Sequence, residues 1–423
     1  MDVRPDEVRA LLLSCLYFFC LLSAYYIIRP MREEMGVTGG VRNLPWLYTG
    51  TLLSMLAVHP PFAALVARLP RQRFITLSYR FFAANILAFF LLFHLLGEGT
   101  ASVWAGRVFF VWTSVFNLFV VSVFWAFMVD IFHGDQAKRL FGFIGVGGTL
   151  GGIAGAALTA GLAERVGPDN LLLVSALLLE VAVQCVRRLA DASARAEVKA
   201  GEPFVQDGEQ VIGGRVLAGI SHVLKSPYLL GICTYMLLFT FGSTVLYFLQ
   251  AQIAEKAFSD RASLTAFFAS LDLAVNVLTL VTQAFLTGRI IRLIGVTLTL
   301  GLLPILSIVG FMALGAVPVL AVFVVFQVLR RAGEYAVARP AREVLYTVLP
   351  REDKYKAKHF IDTFVYRAGD QVGAWSMAAM TALGLGVAGT AFVAAPIAGV
   401  WLGVALLLGR RQQALAARPQ PVP

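Results

Sequence analysis

The chain has 423 residues, of which 58% are hydrophobic and only 14% are charged, and its mean hydropathy is +0.77. A water-soluble domain carries about 25% charged residues and about 45–50% apolar ones, so this composition excludes a soluble globular protein and indicates a chain solvated by lipid. The net charge of +10 is what basic cytoplasmic loops give a membrane protein. We therefore expect a lipid bilayer around the chain and no nucleic-acid partner.

Apolar runs long enough to cross a bilayer recur along the whole chain. A spanning helix needs about 20 predominantly apolar residues. The first run follows a polar N-terminus without a cleavage site, so it is predicted to be a span and not a removable signal peptide. The predicted spans are 8–30, 44–69, 74–97, 102–132, 141–163, 168–189, 228–255, 263–290, 294–316, 317–349, 360–384 and 389–409. The predicted fold class is an all-α membrane protein with twelve transmembrane helices.

One long polar stretch divides these spans into six and six. It predicts an N-terminal six-helix bundle over 1–189, a cytoplasmic central loop over 190–226 and a C-terminal six-helix bundle over 227–423. Basic residues fall in alternate loops, and the loops between them, such as GEGTAS and GLGVAGT, have almost none. Because cytoplasmic loops are enriched in Lys and Arg, both termini are predicted to be cytoplasmic.

The two halves show signs of an internal repeat. Ser23 lies near the end of the first span and Ser243 in the same place in the seventh, and residues 137–141 resemble residues 357–361; both pairs are 220 residues apart. A six-plus-six repeat is typical of major-facilitator-type transporters, whose sites lie near the bilayer midplane. A channel or a membrane enzyme is the alternative. Many glycines in the fifth span, GFIGVGGTLGGIAGAALTAG, predict close helix packing.

The end of the first span carries a first cluster of charge. Arg29 and Arg32 are three residues apart and share a helix face, one turn beyond Tyr25 and Tyr26. If the span ended at Ile28, they would lie in a periplasmic loop that is otherwise poor in basic residues. We expect instead a long first helix reaching about Gly36, with both arginines turned into a cavity.

The tenth span carries a second cluster of charge near its middle: Arg330, Arg331, Glu334, Tyr335, Arg339 and Arg342. Arginines at this depth are too costly to face lipid. They either pair internally with Glu334 and other acids or bind substrate, and one role does not exclude the other. Arginine is well suited to bidentate capture of phosphate or carboxylate, so the predicted partner is a small anionic solute. The predicted binding residues are Arg29, Arg32, Arg331, Arg339, Arg342, Tyr25 and Tyr335.

Other charged residues suggest coupling and gating. Asp272 is isolated inside the eighth span, where it is either a coupling proton carrier or a paired bundle residue; Glu334 is the second coupling candidate. The predicted cytoplasmic gate consists of Asp130, Asp135, Lys138, Arg139, Lys356, Lys358 and Asp362. The sequence has no P-loop, no metal-ligand cluster and no nucleophile triad, so we expect neither a cofactor nor an enzyme.

The stretch 124–132 (FWAFMVDIF), followed by 136–142 (QAKRLFG), resembles the ATP/ADP translocase family of plastids and intracellular bacteria. The likeness extends to 29–36 and to 340–343 with 349–358. It implies a major-facilitator-like fold that exchanges nucleotides, with phosphate-handling basic residues at Arg32 and Arg342. Two acidic positions of the family fall near Thr113 and near Leu249 or Gln250, and neither keeps its glutamate.

These observations predict a monomeric secondary active transporter in a bacterial inner membrane that moves an anionic, phosphorylated solute, as in ATP/ADP exchange. A proton-coupled symporter or exporter of an organic or amphipathic anion is the alternative within transport. A transport-inactive interaction or signalling subunit, which would dock through residues 190–226, is the alternative from another class.

Overall fold

The protein is described by a computed structural model at residue 4 and residues 7–68, 70–97, 99–132, 134–200, 226–349, 357–358 and 360–417. These residues form twelve main helical segments, and the all-α prediction is confirmed. They are α1 (Val8–Thr38), α2 (Leu44–Arg68), α3 (Arg71–Leu96), α4 (Thr100–Ile131), α5 (Gly134–Val166), α6 (Leu171–Ala200), α7 (Pro227–Ala257), α8 (Arg261–Phe285), α9 (Thr287–Ala316), α10 (Leu320–Gly333, Glu334–Ala338 and Arg339–Leu345), α11 (Ile361–Val365 and Tyr366–Ala382) and α12 (Val387–Ala416).

The lengths of the helices match the thickness of a bilayer. Among the described residues, eight helices are long and apolar enough to cross a membrane: α1, α3, α4, α5, α7, α8, α9 and α12. A helix satisfies its backbone hydrogen bonds internally, which hydrocarbon requires. The first helix continues past Gly36 to Thr38, as the sequence predicted.

The chain folds into two compact units, of which unit 1 contains α1 to α6 and the segment Phe258–Asn276 at the start of α8. Within unit 1, α1 packs on α5 through glycines. A Cβ atom at Gly155 would stand only 2.5 Å from the carbonyl oxygen of Ser23, and Gly147 meets Cys15 in the same way at 2.6 Å. The glycine run of the fifth span therefore brings two backbones together, as predicted.

Aromatic side chains fill much of the remaining core of unit 1. Phe18 stacks on Phe124 with ring centroids 4.1 Å apart. The hydroxyl groups of the buried Tyr17 and Tyr79 are hydrogen-bonded to each other, and Tyr79 donates to the carbonyl of Val120 at 3.3 Å. These two buried tyrosine hydroxyls thus have partners, as a dry interior demands.

Unit 2 contains α7, the rest of α8, and α9 to α12. Here α7 packs on α11 through Gly369 and Gly373, where added Cβ atoms would collide with Thr240 and Thr244. This pairing corresponds to the α1–α5 pairing of unit 1, and α1 and α7 are both 31 residues long. The internal repeat seen in the sequence therefore extends to how these helices pack.

Two helices of unit 2 are interrupted by π-helical turns, Glu334–Ala338 in α10 and Ile361–Val365 in α11. The sequence predicted a single span over 317–349, without this interruption. A π turn lengthens the backbone hydrogen-bond ring and often marks a functional site. In α10 the turn lies within the charged segment.

Candidate functional site

Arg330 is the most deeply buried arginine of unit 2, with 3% of its surface exposed. Its Nε donates to the hydroxyl of Ser307 at 3.2 Å, and its Nη2 donates to the hydroxyl of Ser243 at 3.0 Å and to the carbonyl of Phe239 at 3.4 Å. All three partners are neutral, and no carboxylate forms an ion pair with it among the described residues. The charge of Arg330 is held in place without being neutralised.

Arg342 lies near the same aromatic ring and has a looser set of partners. Its guanidinium is 6.0 Å from the centroid of Phe239, and that of Arg330 is 5.6 Å from the same centroid. Its one ion pair within the described part of the chain is to Glu334, at 3.6 Å from Nη1 to Oε1. Its Nε is buried and has no hydrogen-bond partner there. The Nε–H group of Arg342 is therefore a buried hydrogen-bond donor without an acceptor among the described residues.

The π turn of α10 separates Glu334 from Arg342, and side chains from α8 and α9 support it. Gln283 donates to the carbonyl of Tyr335 at 3.2 Å, and Thr287 donates to the carbonyl of Ala336 at 2.7 Å. Carbonyls that lose their helical partner need such substitutes. The turn is thus held by specific side chains of neighbouring helices.

Neutral and paired polar groups complete this cluster. Gln327, one turn before Arg330, donates to the buried amide oxygen of Gln250 at 2.7 Å. Asp370 accepts from Thr244 at 3.3 Å and from Arg367 at 3.4 Å. The sequence drew attention to Arg331, but the structure leaves Arg331 half-buried and buries Arg330 instead.

Unit 1 holds a second cluster, in which Arg29 is ion-paired. Its Nη1 is 3.3 Å from Oδ1 of Asp272, and 4% of the Asp272 side chain is exposed. The guanidinium of Arg29 also lies 5.6 Å from the ring centroid of Tyr26, whose ring makes an edge contact with Tyr25. Two residues predicted separately from the sequence are therefore partners.

Arg32 is also neutralised where it stands. Its Nη1 is 2.8 Å from Oε1 of Glu33, and its Nε donates to the hydroxyl of Ser114 and the carbonyl of Phe110. The guanidinium lies 3.8 Å from the ring centroid of Phe110. This cation–π contact and the ion pair together fix the side chain.

A third arginine in unit 1 was not predicted from the sequence. Arg261 donates to both oxygens of the fully buried Glu34, at 3.0 and 3.3 Å, and to Asp169 at 3.4 Å. Three arginines of unit 1 thus meet four carboxylates, whereas of Arg330 and Arg342 only Arg342 forms an ion pair among the described residues. The unit 1 residues are Arg29, Arg32, Arg261, Glu33, Glu34, Asp169 and Asp272.

Several residues predicted for the gate lie near the ends of helices. Arg139 donates to both carboxylate oxygens of Glu7, at 2.9 and 3.4 Å, and Gln136 donates to Glu7 at 3.0 Å. The backbone N–H of Arg4 and the guanidinium of Arg139 hold the pKa of Glu7 below its ordinary value. Asp130 lies near the end of α4, and Lys138 lies in α5 with its side chain outside the described residues.

The other predicted residues fall in unit 2. Lys358 forms an ion pair with Glu343, and both Lys358 and Arg342 are within electrostatic reach of Asp362. Arg339 is exposed, Tyr335 is half-buried in the π turn, and Lys356 lies outside the described residues. Gln327, Arg261 and Glu34 escaped prediction because no local sequence pattern identifies their distant partners.

The profile of the Major Facilitator Superfamily matches residues 10–338, more than half of the chain. The chain belongs to the Major Facilitator Superfamily. It is 24% identical to "ADP,ATP carrier protein 1" of Chlamydia trachomatis serovar D, over 88% of this chain and 82% of that protein. The same figures hold for "ADP,ATP carrier protein 1" of Chlamydia muridarum. The resemblance to the ATP/ADP translocase family is confirmed.

Solved structures of other transporters share this fold. The peptide transporter PepTSo has a TM-score of 0.64 at 13% identity, covering 97% of this chain and 99% of that one. The nucleoside transporter NupG has a TM-score of 0.63 at 12% identity, covering 98% and 100%. The superfamily member is thus a multi-pass membrane protein and a secondary transporter, not an enzyme.

Proposed function

We propose that this transporter carries an anionic, phosphorylated solute of the nucleotide type, by alternating access, across a bacterial inner membrane. Both termini would be cytoplasmic, because the basic loops predicted from the sequence lie on their side. The proposal rests above all on the buried surplus of positive charge in unit 2.

That surplus is costly unless an anion offsets it. Arg342 pairs with Glu334 and lies within electrostatic reach of Asp362, whereas Arg330 has no ion-pair partner among the described residues. Arg342 also keeps a buried Nε without a hydrogen-bond partner there. Moving a charged group from water into a low-dielectric site is expensive. A bound phosphate oxygen would restore both the charge balance and the missing hydrogen bond. Arg342 is therefore the proposed first contact of the anion, and Arg330 sets the local potential.

The comparison with unit 1 narrows the choice of binding residues. Arg29 and Arg32 each have a carboxylate partner, Asp272 and Glu33. An anion would have to displace these partners, so we assign Arg29 and Arg32 a secondary role that follows partner exchange. Arg331 and Arg339 also add positive potential near Glu334, but both are less buried than Arg330.

The nucleotide class is favoured by the relatives named ADP,ATP carrier protein. The basic positions at Arg32 and Arg342 match the family pattern on which the resemblance rests. Near the two positions where the family has glutamate, Thr113 is buried and donates to the carbonyl of Phe109, Leu249 is buried, and Gln250 pairs with Gln327. We infer that this protein handles the charge of its substrate differently from an ATP/ADP exchanger.

A proton-coupled mechanism is the second candidate, and the four carboxylates of unit 1 favour it. Asp272 pairs with Arg29, and a proton on Asp272 would release that arginine for an anion. Transport that responds to a pH gradient in the wild type but not in Asp272→Asn would support this reading. A transport rate that changes neither with the pH gradient nor in Asp272→Asn would exclude proton coupling and favour simple exchange.

The first test is thermal unfolding of the detergent-purified protein with pyrophosphate, ADP, ATP and citrate. A ligand that binds the folded state raises its melting temperature by mass action. We expect the phosphorylated anions to stabilise the wild type and to bind at least about tenfold more weakly to Arg342→Gln, since a hydrogen bond to a charged group contributes roughly 1.5–3 kcal/mol. Arg410→Gln removes one exposed charge from the end of α12 and serves as the control. Equal stabilisation of both variants would refute the assignment of Arg342.

A further inference from the structure

An ion pair between Arg80 of α3 and Glu180 of α6 lies on the surface of unit 1. Nε of Arg80 donates to Oε2 of Glu180 at 3.2 Å and Nη2 donates to Oε1 at 2.9 Å, so the contact is bidentate. The two side chains are nevertheless 46% and 41% exposed. Gln184, one helical turn further along α6, donates to the same carboxylate at 2.7 Å. The group is neutral overall, but it is strongly polar and open on one side.

The pair lies near the middle of the membrane-spanning part of both helices. Arg80 is nine residues beyond the start of α3 at Arg71, and Glu180 is nine residues beyond the start of α6 at Leu171. At a rise of 1.5 Å per residue, each charge is about 14 Å from the start of its helix. The chain crosses the bilayer three times between these two starts, in α3, α4 and α5, so the starts lie on opposite sides of a hydrocarbon core about 30 Å thick. The ion pair is therefore close to the midplane.

The neighbouring side chains indicate that the open side of the pair faces lipid and not a water-filled pathway. Leu77 and Phe81 accompany Arg80 on α3, Leu173 and Leu177 precede Glu180 on α6, and each of these four side chains is more than 40% exposed. Of the eight helices long and apolar enough to cross a membrane, α3 is also the least buried, with 28% of its most apolar stretch buried. An apolar surface of this kind suits hydrocarbon or another helix.

Lipid cannot satisfy the hydrogen-bonding groups of this pair. A guanidinium has five N–H donors, and only two of those of Arg80 have an acceptor among the described residues. The hydrocarbon core holds no water that could accept from the remaining three. Lipid headgroups are about 14 Å away along the helix. Since charged side chains in spans rarely face lipid, a partner with an acceptor at the same depth is needed to cover this face.

A second copy of this chain has that acceptor at the required depth. A two-fold axis along the membrane normal keeps every residue at its own depth and places α3 of one copy opposite α6 of the other. Arg80 of each copy then faces Glu180 of the other, so that the four charges alternate in sign. The apolar side chains around them pack on their counterparts, as at other helix contacts in membranes.

We propose that the α3–α6 face of unit 1, with Arg80, Glu180 and Gln184 at its centre, is the interface of a homodimer in the membrane. The interface is independent of the solute that the protein carries, and it replaces the monomer expected from the sequence.

The test is energy transfer between donor-labelled and acceptor-labelled full-length protein, reconstituted in phosphatidylcholine vesicles at increasing protein density. We expect transfer in the wild type to rise and saturate. Arg80→Leu combined with Glu180→Leu should fold, because replacing an ion pair by apolar residues is often neutral or stabilising. It should dimerise at least about tenfold more weakly, because the hydrogen bonds to charged groups are lost. Arg73→Gln, which removes an exposed charge near the start of the same helix, should behave like the wild type.

A charge exchange tests the geometry of the dimer. Arg80→Glu gives each copy two acids at the interface and Glu180→Arg gives each copy two arginines, so neither variant should associate with itself. A mixture of the two should associate, because every acid then faces an arginine of the other variant. A wild type that stays monomeric at all densities, or that dimerises no better than the double leucine variant, refutes the interface. A mixture of folded charge variants that stays monomeric also refutes it, and if these variants do not fold, the leucine variant decides alone.

Discussion

Glu334→Gln removes the carboxylate that competes with substrate for Arg342. The two side chains are 3.6 Å apart, and only 9% of the arginine and 13% of the glutamate side chain are exposed. At an effective dielectric constant of about 20, two unit charges at this distance attract by about 4–5 kcal/mol. An anion that binds Arg342 must compensate for this attraction when it displaces Glu334. If removing the carboxylate spares the anion about a third of that energy, its affinity rises about tenfold.

The variant should therefore bind pyrophosphate about tenfold more tightly than the wild type. Its ligand-free form should be less stable, because removing one partner of a buried ion pair leaves an uncompensated charge that costs roughly 3–5 kcal/mol. Thermal unfolding across a pyrophosphate titration measures both effects: a lower starting melting temperature and a larger ligand-induced rise. Turnover in liposomes should fall, because a tightly held anion leaves slowly.

Glu343→Gln is the matched control on the same helix. Glu343 pairs with Lys358, and 46% of the glutamate side chain is exposed. An exposed pair contributes about 0–1 kcal/mol, so this variant should keep the affinity and nearly all of the stability of the wild type. Weaker or unchanged pyrophosphate binding in Glu334→Gln would show that Glu334 does not compete for the anion, and the proposed site would then be wrong.

Two further predictions concern stability. Gly155→Ala places a methyl group 2.5 Å from the carbonyl oxygen of Ser23, so it should lower the free energy of unfolding by about 1–3 kcal/mol or more, measured as a fall in melting temperature. The pKa of Glu7 is lowered in the folded state, so its stabilising contact with Arg139 is present above about pH 4.5 and is lost as the pH falls through the lower, folded-state value. The melting temperatures of the wild type and Glu7→Gln should therefore converge on acidification.

For each of these two predictions, one outcome would contradict it. Gly161→Ala, on the same helix with nothing near its Cβ, should leave stability unchanged or raise it slightly through helix propensity. A loss equal to that of Gly155→Ala would mean that backbone flexibility, and not close packing, governs α5. A difference between wild type and Glu7→Gln that grows on acidification would reverse the assigned direction of the pKa shift.

Hydropathy alone predicted the helical class, because a span of apolar residues has few alternatives in lipid, and the charges at the end of the first span predicted the length of α1. It could not tell which of two adjacent arginines faces the interior. Arg330 and Arg331 differ by about 100° around the helix axis, and only the packing of neighbouring helices decides between them. For the same reason, the sequence alone could not decide between the adjacent Tyr25 and Tyr26 as a contact residue.

The partners of charged residues were also beyond prediction. Arg29 and Asp272 were both noticed in the sequence, but they are 243 residues apart and no spacing rule connects them. The sequence predicted which charged residues lie inside the spans, whereas the distant residues with which they pair depend on tertiary packing.

The π turn of α10 carries an implication about insertions and deletions. In an uninterrupted α-helix the eight residues from Glu334 to Arg342 would leave these side chains about 80° apart around the axis. One extra residue in a turn takes back about 100°, so the interrupted helix brings them to within about 20° of each other. The turn therefore accommodates one extra residue while it keeps the two side chains aligned. A deletion of one residue between Glu334 and Arg342 that restored a regular α-helix would leave seven steps of about 100° each, about 20° short of two full turns, so the two side chains would still face each other.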